Sequence, residues 1–190
     1  MNLPNTLTVA RLFLAPVFFI LYFLPEWIGT GTVTATWLLL IVYVLIEASD
    51  MLDGYFARSM NLVTDLGKVM DPFADVFSRI TYFVCFTVAG IMPAWVFLLI
   101  LYRELGATFL RMIMISKGVA MAASIFGKIK AVIYAVSSIF GILYTAMIRF
   151  YVDVSWIDYF YIIMQATFIL GALTALLSLG VYLKAVFRSK

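Results

Sequence analysis

Long apolar runs, broken at intervals by Gly, Pro and charge, constrain this chain more than any other feature. Crossing the hydrocarbon of a bilayer takes about 20 residues of helix, and only helices or closed barrels satisfy every backbone group there. The runs are read as Leu12 to Leu24, Val33 to Met60, Gly67 to Ala89, Ala94 to Ser116, Ser124 to Met147 and Tyr159 to Val186. With 65% hydrophobic and 12% charged residues in 190, and a mean hydropathy of +1.10, the expected class is an all-α integral membrane protein. Six transmembrane helices in a single domain, 1–190, use up the length and leave no room for a soluble domain.

Residues 1–11 read as an amphipathic lead-in to the first run. A basic residue ahead of a short apolar stretch also describes a signal peptide. However, apolar character already begins at Leu7 and Pro16 interrupts the run without a small-residue cleavage site, so a span is expected. Orientation follows from Lys and Arg. The connections after the second and fourth runs and the C-terminus hold Arg58, Lys68, Lys117, Lys184, Arg188 and Lys190, against Arg149 alone on the other side. Both termini are therefore expected in the cytoplasm. A net charge of +3 leaves no footprint for a nucleic acid, and a single cysteine, Cys85, builds no internal disulfide.

Against this background four aspartates stand out. Asp50, Asp53, Gly54, Ala57 and Arg58 fall within an arc of roughly 140° on a helix turning about 100° per residue, and Gly67, Asp71, Ala74, Asp75 and Ser78 share a face of the next. A short connection makes these helices antiparallel neighbours, so the end of one and the start of the other lie at one depth. An ionised Asp near the middle of a membrane helix costs about 2.5 to 3.5 kcal/mol, so four of them must face water near an interface or be neutralised by a cation. Carboxylate oxygens favour Mg²⁺ or Mn²⁺ over zinc, and the chain has no His. A structural ion-pair network of Asp50, Asp53, Arg58 and Lys68 is the competing explanation. In the fourth run Arg103, Glu104 and Arg111 need partners or a wet cavity; either they satisfy one another, or an arginine lines an anionic pocket. Lys128 and Lys130 are rotated by about 200° and cannot both face one site.

The pattern Asp50-x2-Asp53-Gly54-x2-Ala57-Arg58-x8-Gly67-x3-Asp71-x3-Asp75 matches every fixed position of the signature of the CDP-alcohol phosphotransferases, which the chain resembles over nearly its whole length. Within that family Pro4 to Arg11, Arg103-Glu104 with Leu110-Arg111, and Gly127-Lys128-Ile129-Lys130 look most like the bacterial phosphatidylglycerophosphate synthases. The resemblance implies six transmembrane helices, usually in a homodimer, around a polar cavity open to the cytoplasm at the cell membrane. It implies that Asp50, Asp53, Asp71 and Asp75 hold a pair of Mg²⁺ or Mn²⁺ ions, and that Asp75 is also the general base. It places Gly54 and Gly67 against the nucleotide, Arg58 and Thr64 near its diphosphate, and Asn5 and Thr8 close to the CDP moiety.

The implied substrates are CDP-diacylglycerol and a small alcohol. For sn-glycerol 3-phosphate, the acceptor phosphate needs cations, with Arg103, Arg111 and Lys128 as candidates. Two positions depart from the synthase pattern: Val76 stands where a Lys usually follows the fourth Asp, and Ala131 where a Thr is frequent. Arg79, one turn below Asp75, is a candidate replacement for the missing cation. The same chemistry on serine, an inositol phosphate or choline is the alternative. A prenyltransferase shares Asp-x2-Asp pairs but leaves Gly54, Ala57 and Arg58 unexplained, and a transporter would put its acids near the midplane.

Overall fold

The structure, a computed structural model, describes residues 3–59, 65–116, 125–152 and 155–188. Among these residues the chain is helical throughout, as α1 (Leu3–Ile28), α2 (Thr32–Ser59), α3 (Asp65–Val88), α4 (Ala94–Ser116), α5 (Ile125–Arg149) and α6 (Ile157–Arg188). Among the described residues, α1, α2, α5 and α6 each contain a stretch long and apolar enough to cross a membrane. In α3 and α4 every long window carries more charge, because the aspartates of one and the Arg103, Glu104 and Arg111 of the other fall within the helix.

Helix ends follow local chemistry. α1 stops at Gly29, whose φ of +72° only glycine adopts without strain, with the Gly29 N–H donating to the Pro25 carbonyl at 2.9 Å. α3 stops the same way at Gly90, φ +72°, where the Ile91 N–H reaches back to the Phe86 carbonyl at 2.8 Å. Pro93 then opens α4, its carbonyl accepting from Val96 at 3.0 Å.

Two expected boundaries are corrected. From Leu3 onward the lead-in is part of α1, which runs continuously through Pro16 and Pro25, so the loop expected from Pro25 to Thr32 shrinks to residues 29–31. Arg149, expected in a loop, is the last residue of α5. Its guanidinium donates to the Tyr22 carbonyl at 2.6 Å and lies 4.6 Å from the Tyr22 ring centre. The expected loops after the second and fourth runs fall mainly on 60–64 and 117–124, outside the described residues.

The helices divide into two compact units. The first comprises Met1–Cys85 with Thr145–Val152. Its core is aromatic: Phe18 lies 4.7 Å from Tyr82 between ring centres, and Tyr43 lies 5.2 Å from the same ring, a geometry worth about 0.5 to 1.5 kcal/mol per pair beyond burial. The second comprises Phe86–Tyr144 with Asp153–Lys190. Here Phe86 and Phe168 are fully buried, and Gln165 of α6 donates to the Ile91 carbonyl at 2.6 Å. Outer helix faces carry Phe13, Ile41, Val44 and Ile162, each more than half exposed.

Candidate active site

In the first unit, α1, α2 and α3 each contribute to one polar end. Thr8 is fully buried on α1, and its hydroxyl donates to Asp71 Oδ1 on α3 at 2.6 Å. One turn further along α1, Arg11, 1% exposed, pairs through Nη1 with Asp50 Oδ1 of α2. On α3 itself, Arg79 Nη2 lies 2.7 Å from Asp75 Oδ1, an i,i+4 pair. Arg11, Glu47, Asp50, Asp75, Ser78 and Arg79 line a single small pocket.

Asp50, Asp71, Asp75 and Thr8 are therefore gathered at one end of this unit. Of Asn5, Asp53, Gly54, Arg58 and Gly67 the helical backbone alone belongs to the described part, and Thr64 lies outside it. Arg11 and Glu47 are site residues that the motif does not contain. Both carried a helical signal: Arg11 follows Thr8 at i+3, and Glu47 precedes Asp50 at i−3.

The donor chemistry fits a hard divalent cation. Asp50, Asp71 and Asp75 offer carboxylate oxygens, and the Asp50 and Asp75 side chains are 42% and 32% exposed. Among the described residues no three acidic groups converge closely enough to hold an ion by themselves. Asp50 and Asp75 are instead each engaged by an arginine.

The three acceptor candidates belong to the second unit. Arg103 is 4% and Glu104 5% exposed. Nη1 of Arg103 sits 3.0 Å from both Glu104 oxygens, and Nε donates to Ser178 Oγ at 2.8 Å. Lys130 joins them, Nζ to Glu104 Oε1 at 2.6 Å, with the Tyr134 ring centre 4.9 Å away. The Arg103 and Glu104 pairing is the first of the two arrangements that the sequence left open. Lys128 is exposed, as the 200° rotation from Lys130 requires, and the Arg111 side chain lies outside the described residues.

The profile of the CDP-alcohol phosphatidyltransferases matches residues 1–179. The chain belongs to this family. It is accordingly a phosphatidyltransferase, an enzyme of phospholipid synthesis, in a family whose members in general depend on a divalent metal. Among its relatives is the CDP-diacylglycerol–glycerol-3-phosphate 3-phosphatidyltransferase of Treponema pallidum, 33% identical over 98% of this chain and 90% of that protein. The protein of the same name from Bacillus subtilis is 36% identical over 73% of this chain and 76% of its own. That of Aquifex aeolicus is 32% identical over 84% and 94%.

Proposed function

We propose that this phosphatidyltransferase moves the phosphatidyl group of CDP-diacylglycerol to sn-glycerol 3-phosphate, giving phosphatidylglycerophosphate and CMP. The observation that carries this reading is the match to the Treponema pallidum enzyme of that name across 98% of the chain.

Asp50, Asp53, Asp71 and Asp75 would hold two Mg²⁺ or Mn²⁺ ions, which when bound neutralise the diphosphate and ease the departure of CMP. Asp75 takes the proton of the acceptor hydroxyl. The hydroxyl oxygen attacks the phosphorus that carries diacylglycerol, a P–O bond forms, and the bond to CMP breaks. A carboxylate is a weak base at neutral pH, so Asp75 acts through placement within hydrogen-bond reach rather than through pKa matching. Asn5, Thr8, Gly54, Arg58, Thr64 and Gly67 would receive the CDP moiety. The hydrogen bond from Thr8 to Asp71 supports a role for Thr8 in orienting that carboxylate. Arg103, Arg111 and Lys128 are proposed for the acceptor phosphate, with Glu104 and Ser178 keeping Arg103 in one conformation.

The protein would act as one domain of six transmembrane helices in the cytoplasmic membrane, as a homodimer. Both termini and the aspartates would face the cytoplasm, where soluble acceptor and CMP are. The cationic connections support that orientation. Val76, in place of the usual Lys, is the observation that keeps serine, inositol phosphate and choline among the acceptors to be tested. Purified protein incubated with CDP-diacylglycerol, Mg²⁺ and each alcohol separately is expected to release CMP with sn-glycerol 3-phosphate. Faster release with another alcohol would overturn the acceptor assignment.

A further inference from the structure

Asp75 carries two demands in the proposed reaction, a divalent cation and the acceptor proton, yet its Oδ1 is held by Arg79. A guanidinium does not lose its charge in a protein. If Asp75 turns to a cation, Arg79 is left as a like charge beside it, and the Arg79 side chain is only 17% exposed, too enclosed for water alone to compensate. A second anion within reach would resolve the conflict.

Glu47 is placed to be that anion. It lies one turn before Asp50 on the same face of α2 and lines the pocket that Asp75, Ser78 and Arg79 line from α3. Among the described residues it forms no ion pair. Glu47 is half-buried rather than in open solvent. The alternative explanation, an idle surface carboxylate, does not account for a Glu that lines a small charged pocket.

We propose that Glu47 is the second counter-ion of Arg79, a positioning residue that draws the guanidinium away from Asp75 and so gives that carboxylate over to the cation and the acceptor proton. This rests on the assignment of Asp75 as a metal ligand. It makes a prediction about metal affinity that needs no turnover: without Glu47, Arg79 competes with the cation for Asp75, and without Arg79 there is nothing for Glu47 to remove.

The test is Mn²⁺ binding to the purified full-length protein, read from the electron paramagnetic resonance signal of free Mn²⁺. It compares the wild type with Glu47→Gln, Arg79→Gln, the double variant, Glu47→Asp and Asp75→Asn. Glu47→Gln is expected to weaken Mn²⁺ binding about tenfold, within the range of coupling between contacting charges. Glu47→Asp, which keeps the carboxylate, should stay within about threefold of wild type. In the Arg79→Gln background the further change Glu47→Gln should have less than about a twofold effect. An equal loss in both backgrounds would mean that Glu47 acts directly on the ion, and would overturn the proposal. So would unchanged affinity in Glu47→Gln, or a loss in Glu47→Asp as large as in Glu47→Gln. Should Glu47→Gln fail to fold, Glu47→Asp decides: Mn²⁺ affinity within about threefold of wild type supports the proposal and a loss of about tenfold overturns it. If Asp75→Asn binds Mn²⁺ as the wild type does, the metal assignment itself fails, an outcome distinct from any of these.

Discussion

Asp50, Asp71 and Asp75 have the same chemistry and three different partners: Arg11, Thr8 and Arg79. Such pairing lets carboxylates persist at the end of an apolar bundle, since each unpaired ion would carry a desolvation penalty of several kcal/mol. Asp75→Asn keeps the shape of the side chain and removes its basicity. CMP release should fall at least about a hundredfold, the scale of a lost general base, while circular dichroism reports unchanged helix content. Glu104 poses the opposite case. It is buried between Arg103 and Lys130, so Glu104→Gln leaves two buried cations without their shared anion. The expected loss is about 3 kcal/mol of stability, seen as a lower Tm in detergent. The motif aspartates were legible in the sequence because their spacing is local. Two of their partners were not, since Thr8 stands 63 residues from Asp71 and Arg11 stands 39 from Asp50, distances over which helical periodicity carries no information.

At the scale of elements, the start of α2, the end of α3 and the start of α4 were readable because Gly31, Gly90 and Pro93 act through backbone geometry alone. The start of α1 and the end of α5 were not. A proline inside a membrane helix is tolerated where neighbouring groups satisfy the freed carbonyl, and a terminal arginine joins the helix when it finds a carbonyl and a ring, as Arg149 does with Tyr22. Packing between elements was also hidden. A Cβ on Gly141 of α5 would come within 2.5 Å of the Phe86 ring, and Phe86 is fully buried against Phe168. Gly141→Ala should therefore destabilise the protein by about 1 to 3 kcal/mol through overpacking. Combining it with Phe86→Leu should recover part of that loss, as read from the Tm of the double variant against each single one.

For the whole molecule, the distribution of charge decides which helices look like spans. α3 and α4 are the two whose charges leave no long apolar stretch among the described residues, as expected where a membrane enzyme concentrates its chemistry. Cys85 is fully buried and gives a silent background for labelling. With an impermeant maleimide on intact cells, Thr30→Cys, in the connection after α1, should react, and Ser189→Cys should react only after permeabilisation. The reverse pattern would invert the proposed orientation.

The sequence by itself determined the helical class, the number and approximate limits of the helices, the family and the four motif aspartates, because hydropathy, helical period and motif spacing are all properties of neighbours along the chain. Only the tertiary structure decided that Arg11 and Arg79 engage Asp50 and Asp75, that Lys130 rather than Lys128 joins Glu104, and that Glu47 faces the same pocket as Arg79. Those are contacts between helices or choices among rotamers, set by which faces meet when the helices pack.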